Sequence, residues 1–343
     1  SDFVIGPSGA GKSTLAAVMS GAIPHHYTGQ LFGATLVDDR DTCEITLTDI
    51  SRVVGSVLQD IDAQMVAPIV EDEMLFGLEN FGIPHDLIEE RISQTLTTVG
   101  ISDLRHREIA TLSGGQKQKV AIAAIIAMAP NVLVLDEPTA ALDPASSTLV
   151  FDTLRQINRE HGITVVVIEQ KVALLSKYCS RVLVMADGKL AFDGEPHQVF
   201  AHASELRQMG VDSPRVARIA NSLAEVGLLP SDQAPCLNVS EAHQLISSLL
   251  ADATSKDAPA DVPETSPHIP AVPRGVNQEP VVELTDVTFA YPHGGASVSN
   301  LNMCVYPGEL VGIIGQNGAG KTTLTKLLNG LLHPASGTVR MAG

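Results

Sequence analysis

Apolar residues fall along this chain in two patterns. One is the short continuous run: Phe3-Val4-Ile5, Val53-Val54-Gly55-Ser56-Val57-Leu58, Val132-Leu133-Val134-Leu135, and residues 163–168. Runs of that length, bounded by polar residues, predict strands buried on both faces. The other pattern has the helical period. Ile88, Ile92, Leu96 and Val99 mark one face of a helix opened by Pro84 and closed by Gly100. A helix beginning near Lys12 ends at Gly21. The segment from Val120 to Met128 is apolar nearly all round, which predicts a buried helix. Asp143-Pro144 reads as an N-cap followed by proline at the first helical position. Residues 181–186 and 189–192, joined by Asp187-Gly188, predict a hairpin. Residues 31–50 alternate around Val37-Asp38-Asp39-Arg40-Asp41 and predict short antiparallel strands. Short helices are predicted over 214–228 and 240–250. Buried runs alternating with helices make an α/β chain around a mostly parallel sheet.

The first apolar run leads into Gly6-Pro7-Ser8-Gly9-Ala10-Gly11-Lys12-Ser13-Thr14, which fits G-x-x-x-x-G-K-[ST], the phosphate-binding P-loop. The pattern returns as Gly315-Gln316-Asn317-Gly318-Ala319-Gly320-Lys321-Thr322-Thr323. The flanks repeat as well: Val4-Ile5 with Ile313-Ile314, Leu15 with Leu324, and Gly21 with Gly330. A motif repeated together with its setting predicts a duplicated nucleotide-binding chain. Glycines at 6, 9, 11, 315, 318 and 320 let backbone N–H groups approach phosphate oxygens. The helix N-terminus that follows adds partial positive charge. Lys12 and Lys321 are placed to neutralise the β- and γ-phosphates. The hydroxyls of Ser13 and Thr322 are candidate Mg²⁺ ligands, and Thr14 and Thr323 sit near the α-phosphate.

Composition narrows the partners. A net charge of −17, with no Lys/Arg cluster, argues against nucleic acid. Cys43, Cys179, Cys236 and Cys304 are far apart and form no C-x-x-C pair, which fits a reducing compartment and no zinc. The longest apolar run, 120–129, is about half a membrane span. Residues 251–280, rich in Ala and Pro, predict a linker. Residue 1 falls inside a strand and the chain stops shortly after the second P-loop helix, so it reads as a fragment of a longer protein. The expected organisation is a first nucleotide-binding domain over 1–205, a helical extension over 206–250, the linker over 251–280, and the start of a second domain over 281–343.

After the first P-loop come Gln59 at a strand end, Leu112-Ser113-Gly114-Gly115-Gln116, an apolar strand ending in Asp136-Glu137, and Ala141-Leu142-Asp143. In this order they resemble the ATP-binding-cassette (ABC) ATPases: P-loop, Q-loop, signature, catalytic acids and D-loop. Residues 59–80, with Gln59-Asp60-Ile61-Asp62-Ala63-Gln64 and Phe76-Gly77-Leu78-Glu79-Asn80, are similar to the ATPases of energy-coupling factor (ECF) importers, in particular the form with two cassettes on one chain. Such importers take up vitamins and transition-metal ions in prokaryotes. The resemblance implies a P-loop NTPase cassette with an antiparallel β subdomain and a helical arm, followed by the start of a second. It implies ATP and Mg²⁺ as cofactors, with Asp136 in the Mg²⁺ shell, Glu137 as general base for the attacking water, and Gln59 at Mg²⁺ or that water. It also implies a place on the cytoplasmic face of the membrane, beside an integral coupling subunit and a substrate-binding membrane subunit. Residues 61–80 are the expected docking surface. Phe289-Ala290-Tyr291-Pro292 resembles the A-loop, which makes Tyr291 the candidate adenine stack.

One departure stands out. The family carries a histidine after the strand that follows the D-loop, and here the position reads Ile168-Glu169-Gln170. Gln170 can hydrogen-bond to phosphate or water but cannot carry positive charge, so slow hydrolysis or mainly binding is expected at the first site. In the family, cassettes meet head to tail, and each ATP lies between one P-loop and the opposite signature. Ser113 and Gly115, with Gly114 and Gln116, would then face nucleotide held by Lys321. The Lys12 site needs a signature from a second cassette or another ATPase chain, and weak turnover is expected of this chain alone. Two alternatives share these motifs: a soluble tandem cassette protein acting on ribosomes, and a degenerate ATP-binding regulatory subunit.

Overall fold

The computed structural model describes residues 1–27, 29–172, 177–229, 236–253, 279–292, 297–315 and 318–341. They form two compact units, Ser1–Ala258 and Pro259–Gly343.

In the first unit the apolar runs become a six-stranded sheet ordered β4-β5-β6-β1-β7-β8. Its strands are β1 (Asp2–Ile5), β4 (Val54–Val57), β5 (Val132–Asp136), β6 (Thr164–Ile168), β7 (Arg181–Ala186) and β8 (Lys189–Gly194). All neighbours are parallel except the β7–β8 hairpin. The central strand β1 pairs with β6 on one side and β7 on the other, through Phe3↔Val167 and Phe3↔Val182. Burial on both faces explains why these strands read as continuous apolar runs rather than alternating ones.

Helices α1 (Lys12–Met19) and α8 (Pro144–His161) accompany this sheet, with two four-residue helices, α2 (Ala22–His25) and α4 (Ile61–Gln64), between them in the chain. Phe151 on α8 stacks between Phe3 and Tyr178, with ring centroids 5.6 and 5.3 Å away. Each fully buried ring of this kind contributes roughly 1.5–3 kcal/mol. A helical arm carries α5 (Val70–Asn80) and α6 (His85–Val99), and α7 (Gly114–Ala127) packs against both, and against α8 and β4. That position explains its apolar circumference. Arg105 fastens the arm, binding Glu71 on α5 at 2.5 Å and Glu89 on α6 at 2.6 Å. C-terminal to the sheet lie α9 (Pro196–Ala201), α10 (Ala203–Gln208), α11 (Arg215–Glu225) and α12 (Val239–Ala253). The linker expected over 251–280 lies almost wholly outside the described residues.

Residues 31–50 meet the expectation of short antiparallel strands only in part. Only β2 (Leu36–Val37) and β3 (Arg40–Asp41) pair there, and α3 (Leu47–Ser51) is helical. A capping box decides it. Asp49 N–H donates to Thr46 Oγ1 and Thr46 N–H to Asp49 Oδ2, each at 3.1 Å. Helix α5 is not apparent from apolar period alone. Its first turn carries Glu71, Asp72 and Glu73, which suit a helix N-terminus.

The described residues of the second unit form a three-stranded antiparallel sheet, β10-β9-β11, with β9 (Val282–Phe289), β10 (Val298–Val305) and β11 (Ser336–Met341), and one helix, α13 (Lys321–Leu328). Leu284, Val287, Leu324 and Leu327 form its core. Ile313-Ile314, the counterpart of Val4-Ile5 in β1, is not paired, and Ile314 is 94 % exposed. The physical reason is partnership. β1 is held by β6 and β7, and the described residues of the second unit contain no parallel strand to do the same.

Candidate functional site

The first P-loop runs from the end of β1 to the first turn of α1. Gly6 sits where a Cβ would come within 2.2 Å of the Met185 carbonyl oxygen, so no side chain fits. Gly9 and Gly11 take φ of 80° and 95°, which glycine adopts freely. Lys12, 6 % exposed, donates to the carbonyls of Gly6 at 2.9 Å and Pro7 at 2.8 Å, closing the loop on itself. Helix α1 has neither a side-chain cap nor an acid in its first turn, so its N-terminal N–H groups suit an anion. Ser8, Gly9, Ser13 and Thr14 are exposed around this end.

Asp136 and Glu137 follow at the C-terminal end of β5, which neighbours β6, itself beside β1. Asp136 Oδ1 is buried without a hydrogen-bond partner. Burial pushes its carboxyl above the usual aspartate range, while a hydrogen bond with Ser13 works the other way. An orphaned buried carboxylate oxygen, next to a serine hydroxyl and a phosphate-type loop, is a donor set of the kind Mg²⁺ takes. Asp136 and Ser13 would hold the ion, which would supply charge neutralisation at the phosphates, while the amide of Gln59, the third expected ligand, is turned to Glu137.

Glu137 lies in the left-handed region at φ 49°, a conformation that costs a non-glycine residue about 1–2 kcal/mol. Its amide donates to the Ile168 carbonyl at 2.9 Å. Its carboxylate is held from two sides, by Gln170 Nε2 at 2.5 Å and Gln59 Nε2 at 3.2 Å. Glu137, Gln59 and Gln170, far apart in sequence, therefore form one constellation: a carboxylate able to take a proton from water, flanked by two neutral amides.

The signature run begins α7. Ser113 is its N-cap, and Ser113 and Gln116 form a capping box, with Ser113 N–H donating to Gln116 Oε1 at 3.0 Å. Both side chains are thus engaged within their own helix. Gly114 and Gly115 occupy the first turn, where added Cβ atoms would meet Leu142 and Ser146 at 3.1 Å. Beyond Gln59, Gln64 staples the segment by accepting from Leu58 N–H at 2.9 Å and donating to the Ser56 carbonyl at 3.1 Å. Lys117 on α7 pairs with Asp62 at 2.6 Å.

In the second unit Gly315, Gly318 and Gly320 take φ of 158°, 83° and 88°, against 157°, 80° and 95° at Gly6, Gly9 and Gly11. Lys321 donates to the Gly315 carbonyl at 2.6 Å. Thr322 is exposed and Thr323 buried in the first turn of α13. Asn317 lies outside the described residues. Tyr291 packs edge-on to Phe289 at 5.0 Å.

Three residues near the first site carry no motif: Thr139, Glu169 and Lys171. Their only sequence signal is a carboxylate directly after the apolar run 165–168. No helix among the described residues is long and apolar enough to cross a membrane.

A family model described as ABC transporter matches residues 3–140 and 298–343. An ABC transporter ATP-binding protein of Methanosarcina acetivorans is 34% identical over 100% of this chain and 56% of its own length. One from Streptomyces avermitilis is 36% identical over 99% of the chain and 61% of its own. The chain thus spans a little over half the length of these relatives. Among solved structures, CbiO1 of Clostridium perfringens, described as part of the ABC transporter complex CbiONQ, matches with a TM-score of 0.55 and 32% identity, over 65% of this chain and 86% of that one. P-loop geometry, acid pair, signature helix and family match agree: the chain belongs to the ABC transporter ATP-binding family.

Proposed function

We propose that this chain is part of the ATP-binding and hydrolysing subunit of an ECF-type importer for a vitamin or a metal ion, seated on the cytoplasmic face of a prokaryotic membrane. One observation carries the reading. Directly beyond Gln59 lies an apolar groove of ≈ 230 Å³, lined by Met65, Val66, Phe76, Phe81, Ile125 and Met128. Phe76 is 52 % exposed and Val66 62 %. Large apolar side chains left open to water beside a catalytic loop favour an apolar partner segment. A coupling segment of a membrane subunit seated there would feel any movement of Gln59, because Gln64 and Glu73 fasten this stretch to the strand end and to α5. Glu73 accepts from the N–H groups of Val66 at 2.9 Å and Ala67 at 2.8 Å. The CbiO1 likeness supports the same reading, since that protein is described as part of a transporter complex. Hydrolysis would use Glu137 as base with MgATP held at the Lys12 loop. A signature from another cassette would complete the site, so turnover by isolated chains is expected to be low.

Affinity purification in mild detergent from the native host, followed by mass spectrometry, tests the reading. A polytopic membrane protein should come with the wild type and be lost with Phe76→Asp, while ATP binding is retained. Recovery of ribosomes, or of soluble partners alone, would overturn the transport reading.

A further inference from the structure

The residues on either side of Gln170 grip the segment that follows Glu137. Glu169, 2 % exposed, has its carboxylate fully used. Oε2 accepts the Thr139 hydroxyl at 2.5 Å, and Oε1 accepts the N–H groups of Gln170 at 2.9 Å and Lys171 at 3.1 Å. The Lys171 ammonium donates to the carbonyl of Thr139, the carbonyl of Leu142 at 3.0 Å and Ser147 Oγ at 3.3 Å. Thr139 and Ser147 are completely buried.

An ammonium near the N-terminus of α8 is on the unfavourable end of the helix dipole. What holds it there is the pair of carbonyls of Thr139 and Leu142, with the Ser147 hydroxyl beside them. The two side chains thus clamp one loop from both ends, and that loop fixes the exit direction of the chain from Glu137. The left-handed conformation of Glu137 persists only while its surroundings determine it.

We propose that Glu169 and Lys171 are positioning residues. They lock loop 139–142, and through it hold Glu137 in the strained conformation that presents its carboxylate to Gln59 and Gln170. The inference rests on Glu137 being the base, so Glu137→Gln is the reference. Steady-state hydrolysis, binding of a fluorescent ATP analogue, and amide hydrogen exchange are measured on the protein as the cell makes it. Lys171→Met should lower kcat at least tenfold, leave nucleotide Kd within twofold, and accelerate exchange in 138–142 while leaving β5 and β6 protected. Lys171→Arg, which keeps charge and donors, should restore most of kcat.

Wild-type kcat and unchanged loop exchange in Lys171→Met would overturn the clamp, as would equal losses in kcat and binding. If Lys171→Met does not fold, Thr139→Val removes one hydroxyl from the clamp, and wild-type exchange and kcat in that variant also overturn it. Should Glu137→Gln keep its activity, the assignment of the base fails instead. The exchange result still decides whether the clamp exists.

Discussion

Replacing Asp136 by asparagine should make the nucleotide-free protein more stable while removing its response to MgATP. Asp136 Oδ1 is buried with no partner, and burial raises its pKa. An acid whose folded pKa lies above its unfolded value stabilises the fold only while protonated. That contribution is present below the unfolded pKa, near 3.9, and is lost as pH rises through the folded pKa. At pH 7 the native state therefore carries the cost of a desolvated charge, with the like charge of Glu137 adding to it. Asparagine keeps a polar atom where the orphaned oxygen lies, so the substitution relieves only the charge, a part of the about 1–3 kcal/mol or more that a buried charged group without partners costs. The residue as a whole is only half-buried, so solvent screening puts the gain from Asp136→Asn at the low end, about 1 kcal/mol. For a unit of this size that is a Tm increase of about 2–4 °C. Calorimetry without nucleotide at pH 7 should show the increase, and it should shrink toward pH 4 as the wild-type carboxyl takes up its proton. In saturating MgATP the order should reverse, because ligand binding raises the wild-type Tm and the variant lacks the carboxylate charge that draws Mg²⁺. A variant that melts at or below wild type at pH 7 without nucleotide would refute the reasoning.

Two further outcomes follow from packing and charge. Gly55→Ala on β4 would bring a Cβ within 2.2 Å of Ile125 Cγ2 on α7, so it should destabilise the first unit by about 1–3 kcal/mol in urea unfolding, although Gly55 belongs to no motif. Gln170→His puts an ionisable group beside Glu137 and should raise turnover at the first site, with the gain fading as the imidazole deprotonates above about pH 6.5; unchanged kcat would remove charge at this position as the reason for slow hydrolysis.

The sequence by itself determined what depends on local chemistry. Both P-loops were legible, because glycine spacing dictates the backbone path: the dihedrals of Gly6, Gly9 and Gly11 recur at Gly315, Gly318 and Gly320 although the two loops lie in separate units. The buried strands, helix α6 between Pro84 and Gly100, and the cap at Asp143 were legible for the same reason, since each is set by residues within a few positions of one another. Tertiary structure alone decided what depends on partners distant in the chain. Ile313-Ile314 has the composition of a strand, yet pairing requires parallel neighbours, which the first unit supplies to its equivalent and the described residues of the second do not include. Asp136 and Glu137 are adjacent in sequence, but one carboxylate lies buried with an orphaned oxygen and the other is gripped by Gln59 and Gln170, because β4, β5 and β6 end side by side. The clamp of Glu169, Lys171 and Thr139 fits no motif, and the carboxylate after an apolar run says nothing of its partners. A hydrogen bond spanning thirty residues depends on strand order and register, and these emerge only when the whole sheet has closed.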